Sequence, residues 1–151
     1  MTSRQYAFVL LMVTGLFCFR VVAQLVQAWH PLNFLPPYTA WHSGALPYGV
    51  LVGVQGVILV ACLRIVWAIF TGAVVPSSQK GKALFVLGLI YFLGMCIRLI
   101  VGLTIAPDHY WFGATLPTVF HLVLASFVIL YGLFHFKNSQ LSSPRHGDNP
   151  S

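Results

Sequence analysis

Three arginines lie inside apolar stretches of this chain, Arg20, Arg64 and Arg98, and each follows a cysteine by two positions (Cys18, Cys62 and Cys96). An arginine at the centre of a membrane-spanning helix costs about 2.5 to 3.5 kcal/mol on insertion scales, so it must meet protein, an anion or the interface. The chain holds only two carboxylates, Asp108 and Asp148, and both lie outside the apolar stretches. At about 1.5 Å of rise per residue, Arg20 and Arg98 sit ~12 Å below the same end of their helices, in one half of a bilayer. Arg64 falls near the opposite end of its own helix, where its long stem can carry the charge to the interface as a snorkelling anchor.

Other polar residues gather around the outer pair. Arg20, Gln24 and Gln27 follow i, i+4, i+7 spacing and therefore share one helix face, which should turn toward protein. Gln55, Thr104 and His121 occupy the same half from three other apolar runs. A pocket lined by Arg20, Gln24, Gln55, Arg98 and His121 would bind an anion, because a guanidinium grips phosphate or carboxylate oxygens through two parallel hydrogen bonds. A lipid phosphate, another anionic amphiphile or a cofactor bearing propionates has that chemistry. The competing reading is a polar network that cross-links helices, its arginines satisfied by glutamine side chains, carbonyls and Asp108.

The histidines allow a second chemistry. His30, His42, His109 and His121 map to the outer side, and His42 with His121 as axial ligands, Arg20 and Arg98 meeting propionates, would form a b-type haem site. Copper or zinc is the alternative for the same histidines. Interfacial histidines that brace loops through hydrogen bonds are the plainer explanation. The three cysteines form no Cys-x-x-Cys pair and no zinc-spaced cluster, so they read as small core hydrophobes. Neither Ser43 beside His42 nor Ser126 below His121 has a carboxylate to complete a hydrolytic triad. A lipid-modifying enzyme would have to work through His and Arg alone, which favours a binding role. Phosphate-binding glycine loops and intramembrane acidic chains are both missing from the sequence, which argues against primary or proton-coupled transport.

These residues need helices to position them. Of 151 residues, 58% are hydrophobic and only 7% charged, with a mean hydropathy of +0.85. Lipid is the solvent for such a composition. Four apolar runs, at about 5–28, 48–72, 83–106 and 117–136, are each near the ~20 residues that cross a hydrocarbon core. They predict an all-α integral membrane protein, a four-transmembrane-helix bundle in one domain over 1–136, followed by a polar, disordered tail over 137–151. Pro117 should open the fourth helix, and the segment Val75–Lys82 should be a non-helical connection. Arg4, Lys80, Lys82, Lys137 and Arg145 fall on one side, which makes that side cytoplasmic and places both termini there. Trp29, Tyr38, Trp41, Tyr48, Tyr110 and Trp111 form an aromatic belt on the other. A bacterial inner membrane is the expected location, and a net charge of +6 spread along the chain does not make a nucleic-acid surface.

Three further expectations follow. Val21-Val22-Ala23 before Gln24 offers a signal-peptide cleavage site, although the apolar run continues past it, so an uncleaved helix is the better reading. Gly49, Gly53 and Gly56 give the second helix a small-residue face for close approach. Leu35-Pro36 with Trp41-His42, and Leu116-Pro117 with Phe120-His121, suggest two parallel helix-loop-helix repeats about an axis along the membrane normal. A different class of function also fits the arginines: a non-catalytic accessory subunit whose buried cations meet acidic residues of a partner chain.

Overall fold

The computed structural model describes residues 1–41 and 44–141. Four α-helices account for most of them: α1 (Ser3–Trp29), α2 (Tyr48–Phe70), α3 (Ser78–Thr104) and α4 (Thr115–Leu141), with one 3-10 turn at Tyr38–Trp41. The described residues include no strand. All four helices are long and apolar enough to cross a membrane. α1 opens with a reciprocal cap, in which Thr2 Oγ1 accepts from Gln5 N–H and Gln5 Oε1 accepts from Thr2 N–H. α2 stops at Gly72, whose φ of 70° is the left-handed geometry that ends a helix without a Cβ penalty.

Helix ends depart from the hydropathy pattern in one direction: the helices outrun the apolar residues. α3 begins at Ser78, so Lys80 and Lys82 belong to its first turns and not to a non-helical connection. α4 begins at Thr115 and continues to Leu141, which makes Pro117 its third residue and puts 137–141 in helix. Hydrocarbon thickness limits where apolar side chains are needed, whereas backbone hydrogen bonding propagates into the headgroup region, where lysine is solvated. Pro117 is tolerated because the first four N–H groups of a helix lack intrahelical partners anyway. The rest of the tail, 142–151, lies outside the described residues.

α1 is the central helix, packed against α2 on one side and α4 on the other, and α4 packs in turn along α3. The order of neighbours is α2, α1, α4, α3. No Cα of α2 lies within 8 Å of α3 among the described residues, so the row stays open where a closed bundle would join its ends. A two-fold relating the two hairpins would pair α2 with α3 as α1 pairs with α4; the packing lacks that equivalence. The core lies toward the ends opposite the outer loops, where Tyr6, Ala7 and Leu10 meet Cys62, Val66 and Ile69 of α2 and Phe127 and Phe134 of α4. Tyr6 and Phe134 meet edge to face at 5.8 Å. Cleavage after Ala23 would remove these α1 residues and the core with them.

Close helix approach occurs at α3 and α4, not at the expected glycines of α2. A Cβ on Gly132 would fall 2.7 Å from Phe85 N, and one on Gly81 would fall 2.6 Å from Phe136 N, so backbone meets backbone there. Around Gly49, Gly53 and Gly56 an added Cβ meets nothing within 4 Å. The reason is rotational: α2 turns Gln55, Cys62, Val66 and Ile69 inward, and its glycine stripe points another way. Gly132→Ala should therefore destabilise the protein by about 1–3 kcal/mol through overpacking, while Gly53→Ala should leave it unchanged or slightly more stable. Thermal unfolding in detergent checks both; equal melting of the two variants would mean that the α3–α4 seam is not the tight one.

Candidate functional site

The expected stripe on α1 faces protein: Arg20 and Gln27 are each 5% exposed and Gln24 is fully buried. Arg20 reaches across to the loop between α1 and α2, the outer one in the expected topology, where its Nη2 donates to the Trp41 carbonyl at 2.9 Å. Its guanidinium carbon lies 5.5 Å from the centre of the Phe120 ring on α4. The remaining donors, Nε and Nη1, are buried and have no partner among the described residues.

Arg98, also 5% exposed, makes a matching contact with the second outer loop. Its Nε and Nη2 both donate to the Trp111 carbonyl, at 3.2 and 2.6 Å, and its guanidinium stacks 4.1 Å from the Trp111 ring. Each buried arginine thus holds down the next outer loop by a tryptophan carbonyl. The sequence pairing set Trp41 against Phe120, but in this contact Trp41 corresponds to Trp111. Trp41 also leaves the aromatic belt: it is only 2% exposed and donates its indole N–H to the Pro36 carbonyl at 2.9 Å. Its carbonyl serves Arg20 only if the loop folds inward. Trp29, at 81% exposed, and Tyr110 remain on the outside.

The other predicted residues divide. Gln55 Nε2 donates to Gln24 Oε1 at 3.4 Å, a long bond that leaves Gln24 Nε2 and Gln55 Oε1 unpaired. His121 Nδ1 lies 2.6 Å from the Tyr91 hydroxyl, so α3 and α4 share a hydrogen bond beside Arg98. Tyr91 was missed in the sequence, although it precedes Arg98 by two helical turns and therefore shares its face. Gln27 turns away and accepts the Leu32 N–H, closing the end of α1. Thr104 does not join the group: its hydroxyl returns to the Ile100 carbonyl on an exposed face, the local bond a helical threonine makes when no tertiary partner is near. Arg64 is exposed on α2.

A cavity of about 280 Å³ joins these groups. It is a furrow between α2 and α4, floored by α1, with Arg20, Gln55, Arg98 and His121 as its polar groups. Phe17, Val54, Ile58 and Leu124 supply much of its apolar wall, and the loop at 44–46 covers one end. Gln24 does not line it and acts through Gln55. Asp108, the one carboxylate side chain among the described residues, does not line it, so two cations share the space with no counter-charge from the described residues. A cavity of this kind can hold an anion attached to an apolar body.

The metal readings gain less. His42, one of the two haem candidates, lies outside the described residues. His121 has Nδ1 engaged by Tyr91, which leaves Nε2 for any metal. His109 Nδ1 braces its own loop by accepting from Trp111 N–H at 3.2 Å and Phe112 N–H at 3.4 Å. Among the described residues no group of three His, Cys, Asp or Glu could hold a metal ion.

The two arginine contacts predict separable loop dynamics. A hydrogen bond from a charged donor is worth about 1.5–3 kcal/mol. Arg20→Gln should accelerate amide exchange of the turn holding Ala40 by about ten- to hundredfold and spare Gly113, while Arg98→Gln should do the reverse. A uniform rise in both loops would show global loosening in place of two local clasps.

No protein-family model, no curated protein and no solved structure matches this chain.

Proposed function

We propose that this chain is a multi-pass membrane protein that binds an anionic amphiphile in the outer-half cavity of Arg20, Gln55, Arg98 and His121, with Gln24 supporting Gln55. The observation that carries the reading is the state of Arg20: a buried guanidinium whose Nε and Nη1 have no partner among the described residues, in a cavity that no described carboxylate lines. Unmet donors on a buried cation cost more than those of a neutral group, so a bound anion is the economical way to satisfy them. The apolar wall beside the arginines suits the other half of an amphiphile. Both termini are cytoplasmic in this reading, from the lysine and arginine bias of Arg4, Lys80, Lys82, Lys137 and Arg145, and the membrane is a bacterial inner membrane.

A second reading, an accessory subunit, draws on the same unpaired donors together with the partnerless glycine face of α2. A partner helix carrying an Asp or Glu would then meet the arginines. Native mass spectrometry from mild detergent separates the two, comparing the parent with the Arg20→Gln/Arg98→Gln double variant. The expected result is a bound lipid mass in the parent that the folded double variant lacks. A bare parent chain would refute retained ligand binding, and a co-purifying membrane subunit lost in the variant would replace it with the accessory role.

A further inference from the structure

The cavity also carries information about which anion it fits. Resting on the anion-pocket reading above, we propose that its ligand is a lipid phosphomonoester, a head group bearing two charges on one phosphorus, which reaches the arginines sideways from the adjacent leaflet between α2 and α3.

Charge sets the head group. Arg20 and Arg98 bring two fixed positive charges, each group 5% exposed, and no carboxylate among the described residues lines the cavity. In a medium of low dielectric, neutralising both charges at once is strongly preferred over neutralising one. A phosphomonoester carries about −1.5 to −2 at neutral pH, with three terminal oxygens. A phosphodiester or a fatty carboxylate carries a single charge and two such oxygens.

Donor geometry agrees. Arg20 Nε and Nη1 are free, and Arg98 spends Nε and Nη2 on one carbonyl oxygen, which leaves its Nη1. Donors thus come from two helices that are not neighbours, α1 and α3. An oxygen cluster presented to both suits a terminal phosphate better than a phosphate flanked by ester groups on two sides.

Access sets the apolar part. α2 and α3 make no contact, so no helix pair closes the furrow opposite α1. Val54, which lines it, is 46% exposed, and Leu46 at the covered end is 50% exposed, giving the rim an apolar surface. A volume of about 280 Å³ holds a phosphate and the first carbons of its chain, and the remainder must extend past this rim into lipid.

The test uses the intact parent protein in detergent micelles and measures affinity for dioleoyl phosphatidic acid, dioleoyl phosphatidylglycerol, oleate and inorganic phosphate. Phosphatidic acid should bind at least about tenfold tighter than phosphatidylglycerol or oleate, and inorganic phosphate should compete only weakly. The preference should shrink in Arg98→Gln, whose fold is checked by its helicity and melting. Equal, arginine-dependent binding of monoester and diester would overturn the phosphomonoester assignment and leave the anion pocket standing. Inorganic phosphate competing as well as phosphatidic acid would overturn the lipid assignment in the same way. Absence of any binding by the parent would end both this proposal and the reading beneath it.

Discussion

Two guanidinium groups removed from water, with no carboxylate among the described residues beside them, set the terms for one half of this molecule. A cation in that position needs oxygen atoms, and the nearest supply the chain can offer is its own backbone. Trp41 and Trp111 provide carbonyls, each from the loop that follows the helix bearing the arginine. One residue of each loop is thereby tied to the helices: Trp41 is itself buried and gives its carbonyl to Arg20, and Trp111 gives its carbonyl to Arg98 and lays its ring against the guanidinium.

Much of the fold could be read from apolar run length, because hydrocarbon thickness imposes a length on any spanning helix. The helical stripe of Arg20, Gln24 and Gln27 was legible for the same kind of reason: a 3.6-residue period fixes which side chains share a face. Hydropathy said less about helix ends, since Lys80 and Lys137 are polar in composition yet helical in backbone. It also misassigned the glycines. Gly53 and Gly132 look alike in sequence, and only the rotation of each helix decides which one meets a neighbour. Tyr91 and Thr104 show the same limit for the site: spacing puts both on α3, but one turns to His121 and the other bonds to its own backbone.

Packing density is uneven across the row of helices. The α3–α4 hairpin is drawn together by glycines on both helices of its seam, so that backbone meets backbone there. α2 has one neighbour, α1, held through Cys62, Val66, Ile69 and the long Gln24–Gln55 bond. The cavity lies along the boundary between the firm part and the loosely held part. Its α2 wall is therefore the one with freedom to shift around an occupant, while the arginines sit on α1 and α3.

The central place of α1 has a meaning for how the protein is made. Its two packing partners are the helix synthesised next, α2, and one synthesised two helices later still, α4. Emerging from the ribosome, α1 can join α2 at once, but the faces reserved for Phe120, Phe127 and Phe134 stay unfilled until α4 is in the membrane. Arg20 spends that interval without its contact to the Phe120 ring. Docking of α1 in its final place is thus a step that waits for α4, so the order of synthesis and the order of packing differ.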